Sequence, residues 1–146
     1  MSQPIQLDHE IASAINGAAL RGHALAVAYV DGDGKPSVSF RGSAQVLSGD
    51  QLAIWARKPD DGLAGALGQR PDLSLVYFGG HDGPGPIYLS IRGRGRVDAS
   101  MNDTVYNAMI PGERDQDPDR RGVAVVIDVD SVSGVGAAGP FQMTRQ

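Results

Sequence analysis

Alternating apolar and polar positions recur along much of this chain, and they predict short β-strands joined by tight turns. In the stretch that begins at Pro36, Val38 and Phe40 would share one face of a strand. The opposite face would carry the polar set Ser37, Ser39, Arg41 and Ser43. After turn residues at positions 48–50, the chain would return with Leu52, Ile54 and Ala56 on one side and Ala53, Trp55 and Arg57 on the other. We therefore predict that residues 36–67 form a hairpin and a short helix, with the polar faces of the paired strands as the candidate site.

The rest of the pattern predicts further strands, with small helices beside them. Strands are predicted at residues 24–30, 73–78, 87–97, 123–129 and 131–142. Asp8 is a candidate N-cap for a helix that ends by Gly22, and helical spacing recurs at residues 59–68 and 102–109. Except around the helix that contains Leu63, no connection is long enough for a parallel crossover. The sequence thus predicts a mainly β fold, an antiparallel split β-barrel of roughly six to seven strands with peripheral helices.

Composition narrows the classes of function. The chain has 146 residues, which predicts one domain over residues 1–146, and its 41% hydrophobic and 21% charged residues are typical of a globular protein. A net charge of -4 argues against nucleic-acid or anionic-membrane partners, which need clustered Lys and Arg. The absence of cysteine excludes disulfides and thiolate chemistry. Without an apolar segment at Met1 or a spanning run, we predict a cytoplasmic location.

Two charged segments invite functional hypotheses that the sequence does not support. Asp115, Asp117 and Asp119 alternate as in a calcium loop, but Arg120 stands where that loop needs glycine and Val126 where it needs glutamate. A solvated turn is the better interpretation, and no metal site is predicted. The second segment is the arginine row Arg92, Arg94 and Arg96, which lacks the interleaved aromatic residues of a nucleic-acid strip. Ion pairs within the chain or at a subunit interface are the favoured interpretation of this row.

The order of these segments resembles a known family. The succession PSVSFRG, a turn, LAIWARK, a helix, RPDLSLVYF and YLSIRGRGRVDAS is similar to the pyridoxamine 5'-phosphate oxidase-like flavin-binding split barrels, over roughly residues 24 to 100. A weaker similarity follows in GVAVVIDVDSV. The resemblance implies a homodimer that holds FMN at the subunit interface. Some members of this family use a deazaflavin, a haem or no cofactor.

The resemblance also implies roles for individual residues. It places Ser39, Arg41 and Ser43 at the ribityl chain and phosphate, Trp55, Ala56 and Arg57 at the edge of the isoalloxazine ring, and Lys58 in a phosphate-binding pair at the start of the helix. Two features depart from the family pattern. Asp60 and Asp61 stand where basic or hydroxyl residues are common, and the ending GPFQMTRQ lacks the Trp and Arg pattern that closes the substrate site of the true oxidases.

Three functions follow as hypotheses. The first is an FMN-dependent oxidoreductase, other than the vitamin B6 oxidase, whose catalytic residues the sequence does not identify. The second is a non-catalytic binding module on the same barrel, carrying flavin, deazaflavin, haem or another anionic ligand. The third is a structural dimer with a vestigial pocket. In this last case Arg41 would pair with Asp60 or Asp61 and Trp55 would be a core residue.

Overall fold

The computed structural model describes residues 2–146, which form eight strands and four short helices. The helices are α1 (His9–Gly17), α2 (Gly62–Leu67), α3 (Asn102–Ala108) and α4 (Pro111–Arg114). The strands are β1 (Leu25–Val30), β2 (Pro36–Arg41), β3 (Gln45–Ser48), β4 (Gln51–Ala56), β5 (Asp72–Gly79), β6 (Ile87–Val97), β7 (Val123–Gly136) and β8 (Gly139–Thr144). A 3₁₀ turn at Ala99–Met101 precedes α3.

One antiparallel sheet contains all eight strands, in the order β2-β1-β5-β6-β7-β4-β3, with β8 beside β7. The predicted mainly β, antiparallel fold is confirmed. The strand count exceeds the six or seven predicted, because the chain breaks between β2 and β3 and thereby makes two strands where one was expected. The two strands predicted at 123–129 and 131–142 are instead one continuous β7 followed by β8.

Strand β7 joins the two halves of the sheet. Its first half pairs with β4 and its second half with β8, while β6 runs beside both. At the junction Arg92 pairs with Ser131 but Gly93 pairs with Val129, so Asp130 bulges out of the ladder. The bend lets the inward residues of β1, β4, β5, β6 and β7 share one buried core, which α1 and α2 also enter. The sheet therefore wraps around its core as a split barrel.

The small helices cover the open sides of this barrel. Asp8 caps α1 by accepting a hydrogen bond from Ile11 N at 3.1 Å, as predicted. Helix α3 packs against the outer side of β4 and β7, where Val105 and Tyr106 enclose Trp55 in a second buried cluster. In the described residues no helix is long and apolar enough to cross a membrane.

The predicted pairing between the strand at Ser37 and the strand at Leu52 is wrong. Strand β2 pairs with β1, with Arg41 opposite Leu25, whereas β4 pairs with β3 and β7. The chain leaves β2 at Gly42 and crosses to the other end of the sheet, where Ser43 bonds to the backbone of Trp55. The residues expected on one hairpin consequently lie on two hairpins at opposite ends of the strand order.

The arginine row on β6 is accounted for mainly by ion pairs within the chain. Arg94 binds Asp130 through two hydrogen bonds of 3.0 and 3.1 Å, and Arg96 lies 2.6 Å from Asp128. Hydrogen bonding to Asp130, and then the charge of that carboxylate, raise the pKa of Arg94, while a hydrogen bond from Gln51 and the charge of Arg96 lower the pKa of Asp128. The predicted ion-pair interpretation is confirmed for these two arginines.

Candidate functional site

Strand β2 has its polar and apolar faces reversed. Ser39 and Arg41 lie on the side of the sheet that carries the buried residues of β1, since they pair with Val27 and Leu25. Phe40 lies on the opposite side and is 79% exposed. Large exposed apolar side chains and inward polar ones are the informative exceptions to ordinary burial. The reversal means that the apolar face of β2 does not serve core packing.

Curling of the sheet brings β2 back to β4 although the two strands do not pair. A cavity of about 340 Å³, here the polar cavity, is lined by residues of both strands. Ser39 and Arg41 belong to β2 and Trp55 to β4, while Ser43 and Arg57 lie just beyond the ends of these strands. A second cavity of about 530 Å³, here the cationic cavity, shares Arg41 and Arg57 and adds Ala56 and Lys58. All seven residues that the sequence analysis selected therefore lie around two adjoining cavities.

Arg41 is the cation common to both cavities. Its Nε atom is buried and has no hydrogen-bond partner, and among residues 2–146 no carboxylate lies within ion-pair distance of its guanidinium. Burial lowers the pKa of Arg41; the charge of Tyr29 opposes this effect more weakly, and the charge of Arg57 adds a still smaller lowering. The alternative in which Arg41 pairs with Asp60 or Asp61 is thus wrong. A desolvated, unpaired guanidinium in a cavity is suited to an anionic ligand.

The other cations of the site are exposed. Arg57 and Lys58 follow β4 directly, line the cationic cavity and form no ion pair within the described part of the chain. Asp61 also lines this cavity, but its carboxylate caps α2 by accepting a hydrogen bond from Gly62 N at 2.7 Å. Asp60 does not line it. The cationic cavity keeps an excess of positive charge despite the two aspartates that the sequence places at the start of the helix.

Ser43 and Trp55 contribute structure to the wall of the polar cavity. The Ser43 hydroxyl accepts a hydrogen bond from Trp55 N at 3.0 Å and donates one to Trp55 O at 3.3 Å. The indole of Trp55 is only 4% exposed and meets the ring of Tyr106 edge-on, with centroids 5.2 Å apart. Most of the Trp55 side chain is buried, as the core alternative predicts, and only one edge of it borders the cavity.

Asp117 is a site residue that sequence reasoning missed. Its buried carboxylate accepts hydrogen bonds from Trp55 Nε1 at 2.9 Å, Arg121 N at 3.0 Å and Gly122 N at 2.8 Å. Burial alone would raise the pKa of Asp117, but these bonds lower it below the ordinary value. The ionised Asp117 carboxylate therefore stabilises the fold fully at pH values above its unfolded-state pKa. This contribution is lost as the pH falls through the lower folded-state pKa. The prediction of a solvated turn fails at this residue because the carboxylate points into the protein.

A third, largely apolar cavity continues from the polar one. This groove of about 740 Å³ shares Phe40, Gly42, Glu113 and Gln116 with the polar cavity. Its other walls include Ala26, Val76, Phe78 and Ile110. The three connected cavities form one cleft, here the Arg41 cleft, which is cationic at one end and apolar at the other. Among the residues described, no group of three or more His, Asp or Glu side chains is arranged to hold a metal ion.

Comparison with known proteins identifies the fold. The sequence matches no protein-family model and no curated protein. General stress protein 26 from Bacillus anthracis superimposes with a TM-score of 0.64 at 13% identity, over 92% of this chain and 95% of the other. A related protein of the pyridoxinephosphate oxidase family from Clostridium acetobutylicum gives a TM-score of 0.58 at 11% identity, over 86% and 88% of the two chains. An FMN-binding protein from Syntrophomonas wolfei gives 0.57 at 10% identity, over 89% of each.

These similarities cover nearly the whole chain at low sequence identity, so they establish the fold. The ligand has to be inferred from the residues of the cleft. The chain therefore has the split-barrel fold of the pyridoxamine 5'-phosphate oxidase-like proteins, as its sequence predicted.

Proposed function

We propose that this protein binds FMN in the Arg41 cleft and acts as a flavin-dependent oxidoreductase. The single observation that carries the proposal is Arg41, whose guanidinium is partly desolvated, has a buried Nε without a partner and faces a cavity with three further cations, Arg57, Lys58 and Arg121. Keeping such a group costs stability unless a ligand uses it. A phosphate can accept several charge-assisted hydrogen bonds from a planar guanidinium, which makes it the best match.

The polarity of the cleft supports a ligand that is anionic at one end and apolar at the other. Arg41, Arg57 and Lys58 surround the end suited to the phosphate. The polar cavity, with Ser39, Glu113 and Gln116, offers hydrogen-bonding groups to a hydroxylated chain. The groove beyond it is lined by Phe40, Val76, Phe78 and Ile110, which suit an aromatic ring. FMN has these three parts in this order.

In this proposal the flavin supplies hydride transfer, and the chain supplies binding and orientation. Arg41 fixes the phosphate, and Arg57 and Lys58 raise the local positive potential. The Ser43 hydroxyl and the Asp117 carboxylate have a supporting role, since their hydrogen bonds hold β4 and the neighbouring loop in place. Vitamin B6 oxidation is not proposed, because Arg145 near the chain end binds Val129 O at 2.9 Å and does not line the cleft.

The proposal is tested by titrating the purified protein with FMN. Because Trp55 is the only tryptophan and borders the cleft, bound flavin should quench its emission and shift the flavin absorption bands. Turnover of NADPH or NADH by the loaded protein would then establish the oxidoreductase activity. FMN binding without turnover would support the alternative, a binding module for flavin, deazaflavin, haem or another anionic ligand, and absence of both would contradict the proposal.

We further propose that the protein is a homodimer with the cleft at the subunit interface. The outer face of the sheet carries contiguous exposed apolar side chains, since Phe40 and Val76 flank Ala26 while Phe78 and Val135 flank Tyr88. Phe40 belongs both to this face and to the cleft. A second copy is the favoured occupant because the apolar face continues into the proposed ligand site.

Light scattering should give a mass of twice the 15.3 kDa chain. Substituting Phe78→Asp should dissociate the dimer, because a carboxylate would then be buried against a partner's apolar surface. Leu20→Asp provides the control, since Leu20 is similarly exposed but lies outside the sheet. A wild-type monomer at micromolar concentration, or equal effects of the two substitutions, would contradict this interface.

A further inference from the structure

The loop at residues 115–122 forms one wall of the Arg41 cleft, and Asp117 fixes it to the strand opposite. Asp117 Oδ2 accepts hydrogen bonds from both Trp55 Nε1 and Gly122 N, and Oδ1 accepts one from Arg121 N. The contact with Trp55 joins residues 62 positions apart in the chain. One carboxylate therefore closes the loop on itself and attaches it to β4.

The backbone of this loop adopts a conformation that serves the carboxylate. Arg120 has a φ of 54°, a left-handed conformation that is uncommon for residues other than glycine. This reverses the chain so that the following two amide groups point to Asp117. The Arg120 guanidinium lies 4.3 Å from the centroid of the Tyr106 ring and donates to Asp103 and Asn107, which offsets the cost of the strained backbone.

The backbone at Gly122 packs closely against the end of β4, which restricts the position of the loop. A Cβ atom there would collide with Ala56 O and would lie 2.7 Å from Trp55 Nε1 and 2.9 Å from Arg57 Cα. The backbone at Gly122 consequently runs in direct contact with the end of β4, where Arg57 enters the cleft.

Residues on both sides of Asp117 line the cleft. Gln116 borders all three cavities, and Arg121 borders the cationic cavity together with Arg41 and Arg57. We infer that Asp117 is a positioning residue for ligand binding, which acts by holding Gln116 and Arg121 in the wall of the cleft. The inference rests on the proposed function for the identity of the ligand, but not for the geometry.

A purely stabilising role is the rival explanation, and binding measurements separate the two. Asp117→Asn keeps the shape of the side chain but presents an NH₂ group to at least one of three N–H donors, which displaces the loop. We expect it to weaken FMN binding about tenfold, comparable to the loss of one charge-assisted contact. The matched control is Asp115→Asn, which removes the same charge from an exposed position of the same loop and should leave binding unchanged.

A double-mutant cycle tests whether Asp117 affects ligand binding through Arg121. Arg121→Ala should weaken binding several-fold, and Asp117→Asn combined with Arg121→Ala should bind no more weakly than Asp117→Asn alone, since both changes remove the same contact. The single indole N–H resonance of Trp55 in NMR spectra should move upfield in the Asp117 variant and stay in place in the Asp115 variant. Full additivity, or wild-type affinity in Asp117→Asn, would overturn the inference.

Inorganic pyrophosphate as a second probe separates failure of this inference from failure of the proposed function. If the wild-type protein binds pyrophosphate but not FMN, the flavin proposal fails and the same variants decide the role of Asp117. If it binds neither, both proposals fail. Should Asp117→Asn not fold, Trp55→Phe replaces it, because it removes the indole bond to Asp117 together with part of the ring contact to Tyr106; unchanged pyrophosphate affinity in that variant would also overturn the inference.

Discussion

Arg41→Ala is expected to weaken FMN binding about ten- to a hundredfold, because charge-assisted hydrogen bonds contribute about 1.5–3 kcal/mol. The melting temperature of the unliganded protein should stay unchanged or rise slightly. The substitution breaks no ion pair within the described residues, and it removes a guanidinium whose Nε is buried without a partner. Burial lowers the pKa of Arg41, so the charged form is less favourable in this position than in water. Loss of affinity without loss of stability is the signature of a binding residue.

Arg92→Ala is the matched control for this experiment. Arg92 is also a strand arginine, and over residues 2–146 it forms no ion pair, but it lies away from the Arg41 cleft. Its removal changes the net charge equally and should leave the flavin titration as in the wild type. If Arg41→Ala instead lowers the melting temperature and leaves the titration untouched, the guanidinium has a structural role and the site assignment is wrong.

The candidate site was predictable from sequence only where local alternation determines it. Ser39 and Arg41 share a face of β2 because side chains alternate along any strand, and Arg57 and Lys58 follow β4 directly. Asp117 and Gln116 were not predictable, since their position depends on contact with Trp55 across 62 residues. The composition of their segment, with three aspartates and two arginines, is that of an exposed turn.

Alternation also leaves undecided which face of a strand meets solvent. The pattern separates Val38 and Phe40 from Ser39 and Arg41, and the usual expectation buries the apolar pair. In the structure Val38 and Phe40 are 69% and 79% exposed and Ser39 is exposed too, because β2 lies at the end of the sheet and borders the cleft and not the core. Sequence proximity likewise favoured pairing β2 with the following strand, whereas its hydrogen bonds are made with β1.

In strand β6, by contrast, the sequence pattern predicts both the bounds of the strand and most of its buried face. Ile87–Val97 is predicted with its observed bounds, and Leu89, Ile91, Gly93 and Gly95 lie on the buried face as the alternation requires, whereas Val97, at the end of the same face, is 44% exposed. A glycine inside a strand indicates a bulge or the close approach of another backbone. Gly93 has both, since the register shift of β7 occurs beside it and a Cβ atom there would lie 2.5 Å from Asp128 O.

Gly93→Ala is therefore expected to lower the free energy of unfolding by about 3 kcal/mol, and the melting temperature by about 10 °C. The methyl group would collide with a backbone carbonyl of β7, which β4 and β6 hold from both sides, so it cannot move without breaking ladder hydrogen bonds. Urea unfolding measures the loss. FMN affinity of the folded fraction should be unchanged, because Gly93 does not line the Arg41 cleft.

Two further glycines calibrate this expectation. A Cβ atom at Gly95 would meet only side-chain methyl groups, at 2.9 Å from Leu67 and 3.0 Å from Leu73, and these can shift, so Gly95→Ala should cost about 1 kcal/mol. At Gly32 no atom lies within 4 Å of the added carbon, and Gly32→Ala should change stability by less than about 0.5 kcal/mol. The loss should therefore fall in the order Gly93, Gly95, Gly32. Equal losses at Gly93 and Gly95 would mean that β7 yields at its bulge as easily as a side chain does, and that the junction between the two halves of the barrel is not a rigid element of the fold.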